Sequence, residues 1–145
     1  MIRATNEEPR YLNKFSNGKG TGFADVTEEQ GGTGISFRPH ELLEAALATC
    51  INISVRMYAE RHGVPLEEVT TEVTLDHGSI TESVFRYEIE LRGPHLTADQ
   101  RDRLLAVAKG CSVRRTLSRP FRFEGEAETN ETLARMAVAR ASSSR

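Results

Sequence analysis

The chain has 145 residues, of which 38% are hydrophobic and 28% are charged. This length and apolar content suit one folded domain and exclude a wholly disordered chain. The 19 basic and 21 acidic residues nearly cancel, giving a formal net charge of −2, so we expect no nucleic-acid partner. No run of about 18 uncharged apolar residues occurs, so we also expect no membrane span.

The N-terminal sequence carries information about the compartment. Residues 1–10 include acidic side chains and no apolar run, so we expect no secretory signal and a cytoplasmic location. In the reducing cytosol, Cys50 and Cys111 are not expected to form a permanent disulfide. The residues alone leave them open as core thiols, metal ligands or redox partners.

Turn-forming residues dominate the N-terminal region, residues 1–30. The pair Asn17-Gly18 lies between two apolar-rich segments and predicts a β-hairpin, since both residues tolerate positive φ. We expect strands at residues 11–15 and 23–26, and a third at residues 2–5. The glycines that follow, Gly20 and Gly22, resemble a phosphate-binding loop, but no helix comes after them, which favours the hairpin.

A long helix is predicted over residues 39–63. Pro39 suits its first turn, and Gly63 suits the position after its end. No charged residue occurs over residues 45–55, so the helix is apolar on all sides and about 36 Å long at 1.5 Å per residue. One stripe at helical spacing contains Leu43, Leu47, Cys50, Ser54 and Met57. A single small sheet covers only one side, so we expect a second subunit on the other.

The second half of the chain predicts two strands followed by shorter elements. Alternating apolar residues within 66–92 indicate an antiparallel meander with Phe85, Tyr87, Ile89 and Leu91 on one face. Thr97 and Gln100 form a capping box for a second helix. The remaining predicted elements are a helix over 97–110, a short helix over 111–118, a last strand over 121–127 and a short helix over 132–140. We expect one domain over residues 1–140 and a flexible tail over residues 141–145.

The two cysteines differ in their predicted surroundings. Cys50 lies in the middle of an apolar helix, where a cysteine is commonly just a small buried side chain. Cys111 begins a helical segment, and Arg114 and Arg115 lie one turn away. A helix start and a nearby guanidinium group both stabilise a thiolate. Such a pair fits a cycle between dithiol and disulfide. The separation of 61 positions leaves open whether the two sulfurs meet.

Other catalytic patterns are missing from the sequence. The four histidines, His40, His62, His77 and His95, are scattered, and neither CxxC nor HxxxH occurs. We therefore expect no metal site and no cofactor. The GxSxG motif of serine hydrolases is also absent.

Three segments together resemble the OsmC/Ohr superfamily, which includes osmotically inducible proteins and organic hydroperoxide resistance proteins. These segments are residues 39–50 with the pattern P-x-E-L-L, residues 56–60, and residues 111–117 with the pattern C-x-V-x-x-T-L. The likeness runs from about residue 31 to residue 126. It implies an α+β, OsmC-like fold in which antiparallel sheets pack on a long central helix and two subunits intertwine as a homodimer.

The resemblance also implies a thiol-dependent peroxidase that serves in oxidative or osmotic stress defence. Cys50 would be the peroxidatic thiol, which attacks an organic hydroperoxide and becomes a sulfenic acid. Cys111 would be the resolving thiol, which condenses with that sulfenic acid to a disulfide. A dithiol reductant, such as a lipoylated protein, would then restore both thiols.

By resemblance, an arginine and a glutamate should support the reacting sulfur. The arginine keeps the thiolate charged in an apolar pocket, and the glutamate orients the arginine. In organic hydroperoxide resistance proteins the glutamate directly follows the helix-opening proline. Here His40 has that place and Glu41 is the candidate, while Arg10 is the candidate arginine and Arg38 the fallback.

A second departure lies beside Cys111. Where many relatives read CPVHRTL, this chain has Ser112 and Arg114, and Arg114 is a further source of positive charge. These departures favour the broader OsmC-like branch. They also keep open a module that binds a small apolar ligand, or a redox-sensing partner protein, in which Cys50 is not an efficient peroxidase thiol.

Overall fold

Two antiparallel sheets and three α-helices follow one another along residues 1–79 and 81–125, the part of the chain that the computed structural model describes. This is the predicted α+β composition. The elements are β1 (Arg3–Asn6), β2 (Asn13–Ser16), β3 (Thr21–Ala24), α1 (Pro39–Arg61), β4 (Glu68–Asp76), β5 (Val84–Arg92), α2 (Ala98–Lys109) and α3 (Ser112–Leu117). The predicted helix at 132–140 and the tail at 141–145 lie outside the described residues.

The N-terminal sheet has the order β1-β2-β3, with its strands displaced by one or two residues from the predicted positions. The Asn17 side chain closes the β2–β3 turn by accepting hydrogen bonds from the N–H groups of Lys19 at 2.9 Å and Gly20 at 2.8 Å. Gly22 lies opposite Phe15, and a Cβ at Gly22 would come within 2.4 Å of the Phe15 ring. The glycines therefore serve the predicted hairpin.

A loop anchored by Asp25 connects this sheet to α1. The Asp25 carboxylate is almost fully buried and accepts hydrogen bonds from the Thr33 hydroxyl at 2.6 Å and the Thr33 N–H at 2.8 Å. The hydroxyl bond is the main reason why the pKa of Asp25 is lowered. The Asp25 N–H in turn donates to the Phe37 carbonyl at 2.9 Å, which fixes the chain just before Pro39.

Among the residues that the structure describes, helix α1 is covered on one face only. Within the chain it packs on β4, α2 and α3. The covered face consists of four residues that are at most 1% exposed: Leu47, Ile51, Val55 and Ala59. On the opposite face three large apolar residues remain exposed by 43%, 58% and 43%: Leu43, Ile53 and Met57.

The apolar character of α1 also meets a looser criterion for a membrane span. By length and composition the helix could cross a membrane. This corrects the expectation of no membrane span, which considered only uncharged runs. A central helix of a folded domain passes the same test, and α1 carries the buried contacts of such a helix.

Strands β4 and β5 pair antiparallel along their full length, from Glu68 opposite Arg92 to Asp76 opposite Val84. Their inner face packs on the core, as the alternation predicted. Glu44 of α1 accepts a hydrogen bond from the Leu75 N–H at 2.7 Å, which ties the end of β4 to the helix.

Helix α2 begins with the predicted capping box, in which the Thr97 hydroxyl accepts from the Gln100 N–H at 3.2 Å. It buries Leu104 and Ala108 against α1 and ends before Gly110, so that Cys111 becomes the N-terminal cap of α3.

The predicted strand at 121–127 is wrong for its described part, since residues 121–125 form no regular element. Phe121 and Phe123 alternate with polar residues, but they are 55% and 93% exposed. A strand also needs a neighbour for its backbone hydrogen bonds. Among the described residues, the second sheet consists of β4 and β5 alone.

Candidate functional site

The fold brings Cys50 and Cys111 together, although 61 positions separate them. Both are free thiols. The Cys50 Sγ lies 3.4 Å from the Ser112 Oγ, the residue next to Cys111. Cys50 packs against the core cluster that includes Cys111, and the Cys111 thiol is one of the groups that lower the pKa of Cys50.

The covered face of α1 explains this meeting. Ile51, the neighbour of Cys50, is fully buried in the same cluster as Cys111, which is 2% exposed. The turn after α2 then aims α3 at this point, because the Cys111 N–H bonds to the Ala108 carbonyl at 3.3 Å. Cys50 itself is only half-buried, so its sulfur lies between the covered face and the open face.

The start of α3 lowers the pKa of Cys50. Burial by itself acts in the opposite direction, because it penalises the charged thiolate. Burial is the largest single cause, but it is outweighed by four lowering contributions taken together, which come, largest first, from the Ser112 hydroxyl, the Val113 N–H, the Cys111 thiol and the Ser112 N–H. The Cys50 thiolate therefore forms more readily than an ordinary cysteine thiolate.

The pKa of Cys111 is raised, with burial as the main cause. A hydrogen bond from the Arg114 N–H to the Cys111 Sγ, at 3.3 Å, opposes that effect without overcoming it. The neighbouring Cys50 adds to the rise, first because the protonated Cys111 thiol can donate a hydrogen bond to it and then because two thiolates at close range repel. The pair thus contains one thiol with a lowered pKa and one with a raised pKa.

Arg10, the first candidate for the supporting cation, has local contacts and is not among the groups that lower the pKa of Cys50. Its guanidinium sits 5.8 Å from the centre of the Tyr11 ring, and its carbonyl accepts from the Asn6 side chain at 3.0 Å. These contacts keep Arg10 at the turn between β1 and β2.

Glu41 and the fallback Arg38 form an ion pair at the start of α1. The Arg38 Nε donates to the Glu41 Oε1 at 2.8 Å, and the Arg38 N–H donates to Oε2 at 2.8 Å. These bonds, the backbone one foremost, lower the pKa of Glu41. Glu41 precedes Cys50 by nine residues, about 14 Å along a helix, so the ion pair does not reach Cys50 within one chain.

Arg114 supports Cys111 rather than Cys50. Its guanidinium donates to the Lys109 carbonyl at 2.6 Å and so caps the end of α2. Its backbone N–H, not its charge, reaches the sulfur of Cys111. Over residues 1–79 and 81–125, no cationic side chain contributes to the lowered pKa of Cys50.

Two cavities flank these groups. A cavity of about 400 Å³ is lined partly by the apolar residues Leu47, Phe85, Tyr87 and Leu117 and partly by polar residues, Arg114 among them. Neither cysteine lines this cavity, but Leu47 lies one turn before Cys50 on α1. A second cavity, of about 600 Å³, lies at the start of α1 around Arg38 and Glu41.

Sequence reasoning missed two features of this region. The sequence distinguishes Ser112 only as a departure from relatives. Its position directly after Cys111 is the one feature that indicates a place near the Cys50 sulfur. His40 stacks on His77 with ring centres 4.1 Å apart, a contact between α1 and the β4–β5 connection. No sequence spacing indicates that contact. Within the described ranges, no cluster of His, Cys, Asp or Glu side chains is suited to hold a metal ion.

Sequence comparison matches one family to this chain. The model of the OsmC-like protein family matches residues 31–126, which include α1, both cysteines and the second sheet. No curated protein sequence is similar enough to be matched.

Solved structures share the fold at low sequence identity. An OsmC-like protein from Mycoplasma pneumoniae is 16% identical, with a TM-score of 0.66 over 81% of this chain and 85% of that one. The organic hydroperoxide resistance protein OsmC from Legionella pneumophila is 21% identical, with a TM-score of 0.57 over 81% and 88%. OhrB, an organic hydroperoxide resistance protein of Bacillus subtilis, is 15% identical, with a TM-score of 0.55 over 81% and 89%.

Proposed function

Because the chain belongs to the OsmC-like protein family, we propose that it is a thiol-dependent peroxidase that reduces organic hydroperoxides to alcohols. The observation that carries the proposal is that Cys50 packs against the cluster containing Cys111 and that each thiol affects the pKa of the other. One thiol is half-exposed with a lowered pKa, and the other is buried with a raised pKa. A nucleophile and its resolving partner need this inequality.

In the first step the Cys50 thiolate attacks the terminal oxygen of the hydroperoxide. The sulfur supplies the electron pair for the new S–O bond, and the O–O bond breaks. The alkoxide leaves with that bond's electron pair and takes up a proton to become the alcohol. Cys50 is then a sulfenic acid, oxidised by two electrons.

In the second step Cys111 resolves the sulfenic acid. Its sulfur attacks the Cys50 sulfur, the S–O bond breaks, and hydroxide leaves as water with the proton of the Cys111 thiol. The raised pKa of Cys111 is useful before this step, because a protonated Cys111 does not compete with Cys50 for the peroxide. The product is a Cys50–Cys111 disulfide.

A dithiol reductant closes the cycle by thiol–disulfide exchange. We propose a lipoylated protein or a similar dithiol in a reducing cytoplasm, where a lasting disulfide would not persist. Cys50 is the more accessible sulfur, so the reductant would attack there and release Cys111.

The cavity one helical turn from Cys50 supports an organic substrate, because part of its lining is apolar. Its walls include Leu47, Phe85 and Leu117, which would bury the alkyl or aryl part of a hydroperoxide. Hydrogen peroxide has no such part, so it gains nothing from these contacts.

The proposal includes a homodimer formed through the open face of α1. Leu43, Ile53 and Met57 leave a continuous apolar stripe there, which a second copy of the helix would bury. Packing of two such helices would also bring the Arg38–Glu41 pair of a second subunit toward Cys50. Arg38 is favoured over Arg10 as the supporting cation, because it already has the glutamate partner that the resemblance implies.

The test measures consumption of cumene hydroperoxide by the reduced chain, first without any reductant. The parent and Cys111→Ser should each consume about one equivalent, because the first step needs only Cys50. Cys50→Ser should consume none beyond the buffer rate. With dihydrolipoamide added, only the parent should turn over through the disulfide.

Equal consumption by the parent and by Cys50→Ser would end the peroxidase proposal. An unreactive Cys50 together with an apolar molecule retained in purified protein would instead support the ligand-binding module. The cavity of about 400 Å³ is the specific observation that favours that second candidate.

A further inference from the structure

The donors around the two sulfurs are divided between them. The Arg114 N–H serves Cys111, whereas the Ser112 hydroxyl lies 3.4 Å from the Cys50 Sγ. A hydroxyl rotates freely about its C–O bond, so it can turn its proton toward a charged sulfur. Cys50 therefore has a side-chain donor supplied by α3, across the contact between two helices.

We propose that Ser112 is the hydrogen-bond donor that stabilises the Cys50 thiolate in this chain, a role that rests on the peroxidase function proposed above. Ser112 contacts the reacting atom itself. Its hydroxyl stabilises the negative charge on Cys50 and holds the sulfur toward the start of α3, where the resolving Cys111 lies.

The residue type at position 112 determines which hydrogen-bond donors the start of α3 offers to Cys50. Relatives that read CPVHRTL have proline here, and proline offers neither a side-chain hydroxyl nor a backbone N–H. Ser112 restores both donors at the first position of α3. The chain therefore has local means to stabilise the thiolate where the described part of one subunit supplies no cation.

The groups around Cys50 leave few other sources of charge stabilisation. Cys111 is the ionisable side chain that acts on it, and its own pKa is raised. The Arg114 guanidinium is engaged by the Lys109 carbonyl, and Arg56 of α1 is engaged by the carbonyls of Leu66 and Glu67. The Ser112 hydroxyl is the largest favourable contribution to the lowered pKa of Cys50.

The experiment follows alkylation of Cys50 by iodoacetamide as a function of pH in the full chain, with each cysteine quantified by peptide mass spectrometry. In Ser112→Ala we expect the midpoint for Cys50 to rise by about one pH unit, which slows labelling at neutral pH about tenfold. Ser112→Thr keeps a hydroxyl and should stay close to the parent.

Ser118→Ala is the matched control. Ser118 is at the other end of α3, and its hydroxyl bonds to the Arg114 carbonyl at 2.8 Å, so its loss should leave the Cys50 midpoint unchanged. Ser112→Pro serves as a second test variant, because proline is tolerated in the first turn of a helix. It should shift the midpoint at least as far as Ser112→Ala.

An unchanged midpoint in both Ser112→Ala and Ser112→Pro would overturn the role of Ser112. The same holds if Ser112→Thr shifts as far as Ser112→Ala. These outcomes leave the peroxidase function standing, because that function is judged by peroxide consumption in the parent. Conversely, an inert parent would end the peroxidase function while the Cys50 titration still reports on Ser112.

Discussion

The two faces of α1 have similar apolar sequences but different surroundings. On the covered face, Leu47 and Ile51 are at most 1% exposed within the chain. On the open face, Ile53 is 58% exposed. The covered face therefore contributes to the core of the described residues, and the open face is the one through which we propose that the chain associates.

The thiol pair follows the same division. Cys111 belongs to the core behind the covered face, and its pKa is raised by burial. Cys50 lies at the border, where its sulfur is reachable and hydrogen bonds lower its pKa despite burial. The partial exposure of Cys50 therefore follows from its position on α1, and the burial of Cys111 follows from its position at the start of α3.

The largest expected effect comes from the covered face. Ile51→Ala should lower the free energy of unfolding by about 2–5 kcal/mol, because it leaves a cavity among packed side chains. Ile53→Ala removes the same atoms from the open face. At concentrations where subunits are separate it should cost less than about 0.5 kcal/mol, as surface changes usually do. Urea unfolding of both variants measures the difference.

Similar losses of unfolding free energy for Ile51→Ala and Ile53→Ala in a dilute, monomeric sample would contradict the contrast between the two faces of α1. It would mean that the open face is covered within the chain itself. A protein-concentration dependence of the Ile53→Ala effect would sharpen the comparison, since it would place a second copy on that face.

An intermediate effect is expected on association. Ile53→Glu puts a charge in the middle of the open apolar stripe, so it should weaken the proposed dimer at least about tenfold. Ala106→Glu adds the same charge at an exposed position of α2 and should leave association unchanged. Sedimentation velocity over a range of concentrations measures both, and a parent that stays monomeric throughout would contradict the assignment of this face.

The smallest expected effect is on the pH dependence of folding stability, to which the two thiols contribute in opposite directions. Cys111 has a raised pKa in the folded chain, so its contribution to stability is present below the unfolded pKa and is lost as pH rises through the folded pKa. Cys111→Ser removes that loss, and serine still caps α3. The stability of Cys111→Ser relative to the parent should therefore increase toward alkaline pH.

The contribution of Cys50 to stability changes with pH in the opposite direction. Its folded pKa is lowered, so its contribution is present above the unfolded pKa and is lost as pH falls through the folded pKa. The stability of Cys50→Ser relative to the parent should therefore decrease toward alkaline pH. Thermal melts of both variants at several pH values test the pair, and equal trends would remove the distinction between the thiols.

Local chemistry could be predicted from the sequence, while long-range contacts could not. Asn17-Gly18 and the Thr97–Gln100 box specify their turn and cap through bonds only a few residues long. The covered face of α1 was not predictable, because a helix that is apolar on all sides gives no preferred face. The strand predicted at 121–127 depended on a pairing partner that alternation alone does not provide.

The site shows the same limit. The resemblance pointed to Cys50 and Cys111, but only the packing of α3 on α1 brings Cys50 to Ser112. The pairing of Arg38 with Glu41 follows from their spacing of three residues at a helix start. The sequence places Arg10 first, Arg38 as the fallback and Arg114 as a further cation, and it does not by itself predict that Arg38 pairs with Glu41.

The central claim is tested most directly by peptide mapping of the parent after one equivalent of cumene hydroperoxide, without reductant. The account predicts a disulfide joining Cys50 to Cys111 of the same chain, and no such species in an untreated, reduced sample. Peroxide consumption with both cysteines still present as thiols, or a disulfide found only between Cys50 residues of two chains, would contradict it.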